Sequence, residues 1–261
     1  MPDIEDNQEQ TKNQMGSLRE HFDAEVTESW ADMVLIGSSF ITGLLDSAVF
    51  NVWSCFVSMQ TGNTLYLGLG VSGQPKSSPW RWAKSGVSIV AFVMGAFIFS
   101  RIMRYLGPLR RSTMIASWLI QGVLIYACAI LENTGVVPNN AGDILPDSFI
   151  VLLPLSLLSF QSAGQMAISR VLGYGELTSV VLTSAYFDFA FDEKVLTGPT
   201  RNVKRNRRVA SMIMVLLGAI AGGFLTTDED ISSVLWISGT LKIAIAIVWV
   251  FWKSKGSVRL E

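Results

Sequence analysis

The fold is decided by nearly uncharged stretches such as residues 33–53, which read MVLIGSSFITGLLDSAVFNVW and carry a single charge, Asp46. An α-helix rises about 1.5 Å per residue, so about 20 apolar residues cross the roughly 30 Å hydrocarbon core of a bilayer. A buried helix of a soluble protein is usually shorter and keeps one polar stripe. Residues 33–53 therefore predict a membrane-spanning helix.

Five further stretches share this length and character. Together they hold one charge, Lys242, and they comprise residues 85–100, 113–131, 148–169, 209–227 and 231–252. The whole chain is 50% hydrophobic and 16% charged, whereas about a quarter of the residues of an ordinary globular chain are charged. The sequence therefore predicts an all-α, polytopic membrane helix bundle with about six spans.

The Lys and Arg residues favour one orientation of these spans. Loops that stay in the cytosol carry an excess of positive charge, and 16 of the 20 Lys and Arg residues lie on the cytosolic side if both termini do. Extra spans at both 56–73 and 177–187 lower that number to 14. An extra span at 56–73 alone also gives 14, with the N-terminus outside. We predict a disordered acidic cytosolic tail (1–28) with a short interfacial helix near residues 18–26, a transmembrane domain (29–253) and a second cytosolic tail (254–261).

Two short segments do not fit the pattern of the six spans. Residues 177–187 comprise only 11 uncharged residues, too few to cross as a helix. Residues 56–73 comprise 18, but they include Gln60, Asn63 and four glycines. Irregular backbone at membrane depth must be surrounded by protein or by a water-filled cavity. We predict two re-entrant or broken-helix segments, although residues 56–73 could alternatively form a true span.

The two halves of the chain, about residues 29–132 and 147–253, repeat each other weakly. In each half a long span precedes a short Thr-containing segment and two further spans. Gly95 corresponds to Gly218, and Trp118 to Trp236. Three spans per half give the halves opposite orientations, which is the inverted-repeat plan of many secondary transporters.

Several polar blocks lie in or beside these segments. They are Gly43-Leu44-Leu45-Asp46, Met59-Gln60-Thr61-Gly62-Asn63, Ser159-Phe160-Gln161, Gly175-Glu176-Leu177-Thr178-Ser179 and Val180-Val181-Leu182-Thr183-Ser184. In these blocks the chain resembles the YoaK-type family of integral membrane proteins, over about residues 37–252. The resemblance implies a multi-span membrane protein of unknown function and supplies no substrate.

Asp46 and Lys242 are ionisable residues near the middle of two predicted spans. A charge at that depth costs roughly 2.5–3.5 kcal/mol on insertion scales, and such residues usually mark functional sites. We therefore predict that they form an ion pair or share an aqueous cavity. This pair could bind a substrate or a proton, or it could simply lock two helices together.

Further candidate binding residues lie in the two short segments and in the fourth span. Helix N-termini attract anions, and the polar residues there could bind a substrate or merely allow close helix packing. Gln161 and Gln165 are four residues apart, so they share one helix face. The remaining candidates are Gln60, Thr61, Gly62, Asn63, Thr64, Thr178 and Thr183.

Other classes of function lack their sequence signals. The only histidine, His21, lies in the polar N-terminal tail, and no P-loop or dinucleotide-binding context is present. We expect no cofactor, no metal, no catalytic residues and no nucleic-acid partner. The leading hypothesis is a secondary transporter or permease for a small polar or anionic organic molecule, with membrane lipids around it. The alternative is a non-transporting membrane protein that binds a lipid or a protein partner.

Overall fold

The structure, a computed structural model, describes residues 15–74, 76–77, 80–143, 145, 148–177, 182–228 and 230–256. Nine α-helices lie in this part of the chain: α1 (15–23), α2 (Ala31–Trp53), α3 (Gln60–Val71), α4 (Arg81–Leu106), α5 (Arg111–Asn133), α6 (Leu152–Val171), α7 (Leu182–Ala190), α8 (Val203–Leu225) and α9 (Ser232–Val250). The predicted all-α class is confirmed.

Five of the described helices are long and apolar enough to cross a membrane, namely α2, α4, α5, α8 and α9. The fourth predicted span, residues 148–169, forms α6, but α6 is not among the helices that meet this criterion. Its 20 residues include Pro154, Gln161, Gln165 and four serines, which dilute its apolar character. The five long helices nevertheless confirm a multi-pass integral membrane protein.

The long helices pack in three main pairs: α2 with α8, α4 with α6, and α5 with α9. The apolar window of α2 is 61% buried, whereas that of α8 is only 22% buried. A helix that is covered on most sides lies inside a bundle, and one that is apolar and largely uncovered faces the surroundings. Thus α2 is the central helix and α8 lies at the perimeter.

Pairs of serines join two of these helix pairs in the same way. Ser39 Oγ on α2 lies 2.9 Å from Ser211 Oγ on α8. Ser159 Oγ on α6 lies 2.8 Å from Ser88 Oγ on α4. Each of these two helix pairs therefore has one buried contact between serine hydroxyls.

Glycines at the same crossings bring the backbones into contact. A methyl group built on Gly218 of α8 would lie 2.1 Å from the carbonyl oxygen of Phe40 on α2. One built on Gly95 of α4 would lie 2.4 Å from the carbonyl oxygen of Phe160 on α6. Because only glycine fits such an approach, Gly95 and Gly218 are equivalent contact points of the two pairs.

One end of the bundle is called the termini end here, because both described chain termini lie there. It also contains the start of α2, the end of α4, the start of α5 and the end of α9. Two isolated β-bridges, Glu25 to Arg110 and Val26 to Ser254, tie the N-terminal segment to the α4–α5 loop and to the chain after α9. Within the segment predicted as a tail with a short helix near residues 18–26, residues 15–23 form α1 and the bridges pair residues 25 and 26 with the bundle. Residues 1–14 and 257–261 lie outside the described part of the chain.

Arg111 fastens the termini end from within. Its side chain is 2% exposed, and Nη2 donates to the carbonyl oxygen of Trp252 at 2.6 Å and to Ser254 Oγ at 2.9 Å. Nη1 donates to the carbonyl oxygen of His21. One guanidinium thus links α1, α5 and the C-terminal segment. The opposite end of the bundle, called the far end here, contains the α2–α3 and α5–α6 connections.

Candidate functional site

A layer of buried polar side chains crosses the bundle between two apolar clusters. The far-end cluster includes Leu44, Ile125, Leu155 and Val234, and the termini-end cluster includes Leu35, Met114, Ile168 and Ala246. On α2, α5, α6 and α9 alike, polar residues fall between these two contributions. The resulting polar layer consists of Ser38, Thr42, Ser117, Gln121, Gln161, Gln165, Ser238 and Lys242.

Lys242 is at the centre of the polar layer and is only 1% exposed. Its Nζ donates to Gln121 Oε1 at 2.7 Å and to Gln165 Oε1 at 2.6 Å. It also lies 4.7 Å from the centroid of the Trp118 ring. A lysine ammonium has three donors and no acceptor, and the face of an indole attracts cations. This environment therefore suits a cation and joins α5, α6 and α9.

Gln165 extends the layer to α2. Its Nε2 donates to Thr42 Oγ1 at 2.9 Å and to the carbonyl oxygen of Ser38 at 3.2 Å. These two bonds point the carbonyl oxygen of the same amide toward Lys242. All four of the buried long helices, α2, α5, α6 and α9, are therefore connected by side-chain hydrogen bonds at one level.

Asp46 lies one helical turn beyond Thr42 and holds the break, residues 54–59, between α2 and α3. Its Oδ1 accepts hydrogen bonds from the backbone N–H groups of Val57 at 2.8 Å and Ser58 at 2.9 Å. Its Oδ2 accepts one from Ser58 Oγ. Val57 and Ser58 are buried, and buried N–H groups outside a helix need acceptors. The Asp46 carboxylate supplies them.

Asn63 holds the break from the other side and is fully buried. Its Nδ2 donates to the carbonyl oxygen of Phe56 at 2.7 Å and to Gln60 Oε1 at 2.8 Å, and its Oδ1 accepts from the N–H of Phe56 at 3.2 Å. Gln60 Nε2 donates to the carbonyl oxygen of Val57 at 3.1 Å. Both amides reach Ser88 Oγ on α4. Gln60 and Asn63 thus belong to one polar cluster.

Asp46 and Lys242 do not form the predicted ion pair. Asp46 binds the break, whereas Lys242 binds Gln121 and Gln165. Two amides and the indole of Trp118 offset the burial of the cation, and two backbone N–H groups offset the burial of the anion. Lys242 is connected through Gln165 to Thr42 on α2, and Asp46 lies one turn from Thr42 on the same helix face.

Gln161 and Gln165 are both buried residues of α6. Gln161 Nε2 donates to the carbonyl oxygen of Leu158 at 3.0 Å. Gln161 Oε1 is buried and accepts no hydrogen bond from the described residues. A buried acceptor without a donor costs about 1–3 kcal/mol, so a donor placed beside this oxygen would stabilise the polar layer.

The predicted small hydroxyl residues are not in this cluster. Thr61 and Thr64 are exposed, and Thr64 Oγ1 only donates to the carbonyl oxygen of Gln60 in its own helix. Gly62 serves packing, because a methyl group there would lie 2.8 Å from the Phe56 ring. Thr183 is exposed on α7. Thr178 lies outside the described residues.

Several residues of the site were missed in the sequence. They include Ser38, Thr42, Ser58, Ser88, Ser117, Gln121, Ser159 and Ser238. Ser162 also belongs to the site, because its Oγ donates to the carbonyl oxygen of Val57 at 2.8 Å. A usable signal was present in the spacing: Ser38, Thr42 and Asp46 follow each other at four-residue intervals, as do Ser117 with Gln121 and Ser238 with Lys242. Polar residues at this spacing form a stripe on one helix face.

The chemical groups of the site are hydrogen-bonding and charged side chains. Among the described residues, no three His, Cys, Asp or Glu side chains are grouped as metal ligands. Cys55 and Cys128 are buried, free thiols. The site can therefore orient polar groups and accommodate a charge inside an apolar bundle.

The fold and this site define a polytopic integral membrane protein whose bundle contains a buried polar centre. A family model described as "Protein of unknown function (DUF1275)" matches residues 34–248. The chain therefore belongs to this family, and the resemblance to YoaK-type membrane proteins is confirmed. No curated protein and no solved structure is significantly similar to the chain.

Proposed function

We propose that this protein is a secondary transporter or permease for a small polar or anionic organic molecule. The observation that carries the proposal is the polar layer, which contains Lys242 between two apolar clusters. Asp46 lies on α2 one turn beyond Thr42, which is a member of this layer. A charge at membrane depth costs several kcal/mol, and proteins keep such residues mainly on substrate or ion pathways. An anionic substrate pairs with Lys242 by taking the place of one glutamine oxygen.

Six spans in two inverted halves are part of this proposal. The serine and glycine contacts of α2 with α8 recur between α6 and α4, so α6 has the position in the second half that α2 has in the first. The third pair is reciprocal too: a methyl group on Gly122 of α5 would meet Ile243 of α9, and one on Gly239 of α9 would meet Tyr126 of α5. These contacts support α6 as the sixth span.

The short helices α3 and α7 are re-entrant or broken-helix elements in this proposal. The 12 residues of α3 follow the buried break, and the 9 residues of α7 are too few to cross a bilayer. The excess of Lys and Arg at the termini end supports a cytosolic position for that end in this proposal. Asp46 then lies nearer the outer side than Lys242, because α2 runs from the termini end to the far end.

Proton coupling through Asp46 is testable with purified protein in vesicles. We expect the wild-type protein to accumulate labelled small carboxylates when an inward proton gradient is imposed. Asp46→Asn keeps one acceptor oxygen for the break but cannot bind and release a proton. Its gradient-driven accumulation should therefore fall to background, whereas exchange of labelled for unlabelled substrate should continue.

The matched control is Asp32→Asn. Asp32 is also a buried acid on α2, but it is paired with Arg207 at 2.7 Å near the termini end. We expect this variant to retain accumulation. Normal accumulation by Asp46→Asn would show that Asp46 is not the coupling group, and no uptake of any carboxylate by the wild type would count against transport of this class.

A second candidate function is lipid binding without transport. A pocket of about 510 Å³ between α4 and α6 is lined by alanines, Met166 and Val171, and it carries Arg104 and Arg170. Basic residues beside an apolar groove at the cytosolic ends of helices suit an anionic phospholipid. This observation favours the alternative of a lipid-binding membrane protein.

Native mass spectrometry with phosphatidylglycerol and phosphatidylcholine separates the two functions. We expect the double variant Arg104→Gln, Arg170→Gln to lose the preference for phosphatidylglycerol, because two headgroup contacts are removed. Arg101→Gln is the matched control, since Arg101 lies on the same helix and does not line this pocket. A strong wild-type preference for the anionic lipid, combined with no solute uptake, would favour the lipid-binding function.

A further inference from the structure

A second polar site lies at the far end, away from the polar layer. It is a small pocket of about 90 Å³ between the end of α2, the start of α4 and the chain around Asp143. Its polar lining consists of Ser54, Ser77, Arg81, Lys84 and Asp143. Two cations and one acid give this lining a net positive charge.

Arg81 has its guanidinium stacked between aromatic rings. Its Cζ lies 3.5 Å from the centroid of Tyr66 and 4.9 Å from that of Phe50. Stacking fixes the plane of the group but uses none of its N–H donors. Nε and Nη2 are buried, and neither donates to any described residue. These two nitrogens form one edge of the guanidinium and point two N–H groups the same way.

Lys84 adds a second cation one turn along α4. Its side chain is 4% exposed, and its Nζ donates to the carbonyl oxygen of Gly142 at 2.8 Å. An ammonium has three donors, and this is the only acceptor that the described residues give it. A buried cation with unused donors favours an anion nearby.

Ser54 lines the pocket in an unusual backbone conformation. Its φ of 56° and ψ of 33° are left-handed, a region in which glycine is favoured. The α2 helix would end there more easily with glycine. A serine at this position places a hydroxyl on the pocket, and strained residues of this kind tend to occur at ligand sites.

We propose that this pocket binds the carboxylate of a small organic anion. The Nε and Nη2 edge of an arginine matches the two oxygens of a carboxylate, giving two parallel charge-assisted hydrogen bonds. Lys84 and the Ser54 hydroxyl complete the donors. A space of about 90 Å³ admits a carboxylate with a few carbon atoms but not a phospholipid headgroup.

The pocket is linked to the candidate site through residues adjacent in sequence. Ser85, next to Lys84, donates to Asn63 Oδ1 at 3.5 Å, and Cys55, next to Ser54, donates to the same oxygen at 3.5 Å. Asn63 in turn holds the break that Asp46 binds. The inference thus assigns small organic carboxylates as the substrate class of the proposed transporter. Binding of a carboxylate does not depend on the proposed function, and only the step from binding to transport rests on it.

Binding is measured on the purified full-length protein in detergent, by calorimetry and by the shift of the unfolding temperature. The probes are acetate, its neutral analogue acetamide, and inorganic phosphate. We expect acetate to bind and acetamide not to bind. Arg81→Lys keeps the charge but loses the two-nitrogen edge, so its affinity for acetate should fall about tenfold. Arg101→Lys, the same change on the same helix, should leave the affinity unchanged.

Asp143→Asn changes the affinity in the opposite direction. Removing an acid from the lining of an anion site should strengthen acetate binding by about threefold or more, since like charges repel. If Arg81→Lys does not fold, the acetate affinity of Asp143→Asn alone tests whether the pocket binds a carboxylate. Unchanged acetate affinity in the folded variants, equal binding of acetamide, or equally tight binding of phosphate would overturn the assignment. Because uptake is not measured, these outcomes are independent of whether the protein transports.

Discussion

Replacing Asp46 with alanine should lower the free energy of unfolding by about 2–6 kcal/mol, because two buried N–H groups lose their acceptor at a cost of about 1–3 kcal/mol each. These are the backbone groups of Val57 and Ser58, at 2.8 and 2.9 Å from Oδ1. The hydroxyl of Ser58 also loses its acceptor. We expect a much lower midpoint when thermal unfolding in detergent is followed by tryptophan fluorescence.

Two comparisons identify the cause of that loss. Asp46→Asn keeps an oxygen where Oδ1 lies, so it should lose only a minor part of the stability. Ser58→Ala removes the hydroxyl but keeps both backbone bonds, and it should also be mild. If Asp46→Ala unfolds at the wild-type temperature, the carboxylate does not hold the break and the role of Asp46 must lie elsewhere.

Replacing Gly218 with alanine should destabilise the bundle by about 3 kcal/mol, at the upper end of ordinary overpacking effects. The new methyl group would lie 2.1 Å from the carbonyl oxygen of Phe40 and 2.9 Å from the N of Leu44. A backbone cannot rotate away as a side chain can, so α2 and α8 have to separate. The close contact of Gly218 with α2 is thereby given a quantitative test.

Gly223→Ala is the matched control for this substitution. Gly223 lies on the same helix, and no heavy atom comes within 4 Å of a methyl group placed there. Alanine is the better helix former by about 1 kcal/mol, so this variant should be as stable as the wild type or slightly more stable. Equal unfolding temperatures for Gly218→Ala and Gly223→Ala would contradict the close crossing of α2 and α8.

The positions of the spans were predictable because charge is excluded from long stretches. Residues 33–53 were predicted for the helix observed as Ala31–Trp53, and the other long helices lie where charge-free stretches were found. The pairing of the N-terminal segment with the chain after α9 was not predicted, because its polar composition gives no sign of that pairing. A β-bridge between residues 26 and 254 depends on tertiary proximity that local composition does not encode.

The candidate site was predictable in its residues but not in its pairings. Asp46 and Lys242 were identified from their cost in an apolar helix, yet each is offset by hydrogen bonds to neutral groups. Opposite charges suggest an ion pair, whereas the rotation of each helix about its axis decides which groups meet. Thr61 and Thr64 illustrate the same limit, because they share a short helix with buried Asn63 but face outward.

The polar layer also has a consequence for assembly of the bundle. Apolar helices in lipid gain little from one axial alignment over another, since lipid tails are as apolar as leucine. A helix that slips by one turn moves about 5.4 Å. Such a slip of α9 would carry Lys242 away from both glutamine oxygens and into one of the apolar clusters. Buried polar groups are known to fix the register of helices in this way. Here the polar layer sets the axial position of each helix relative to its neighbours, and so its depth in the bilayer.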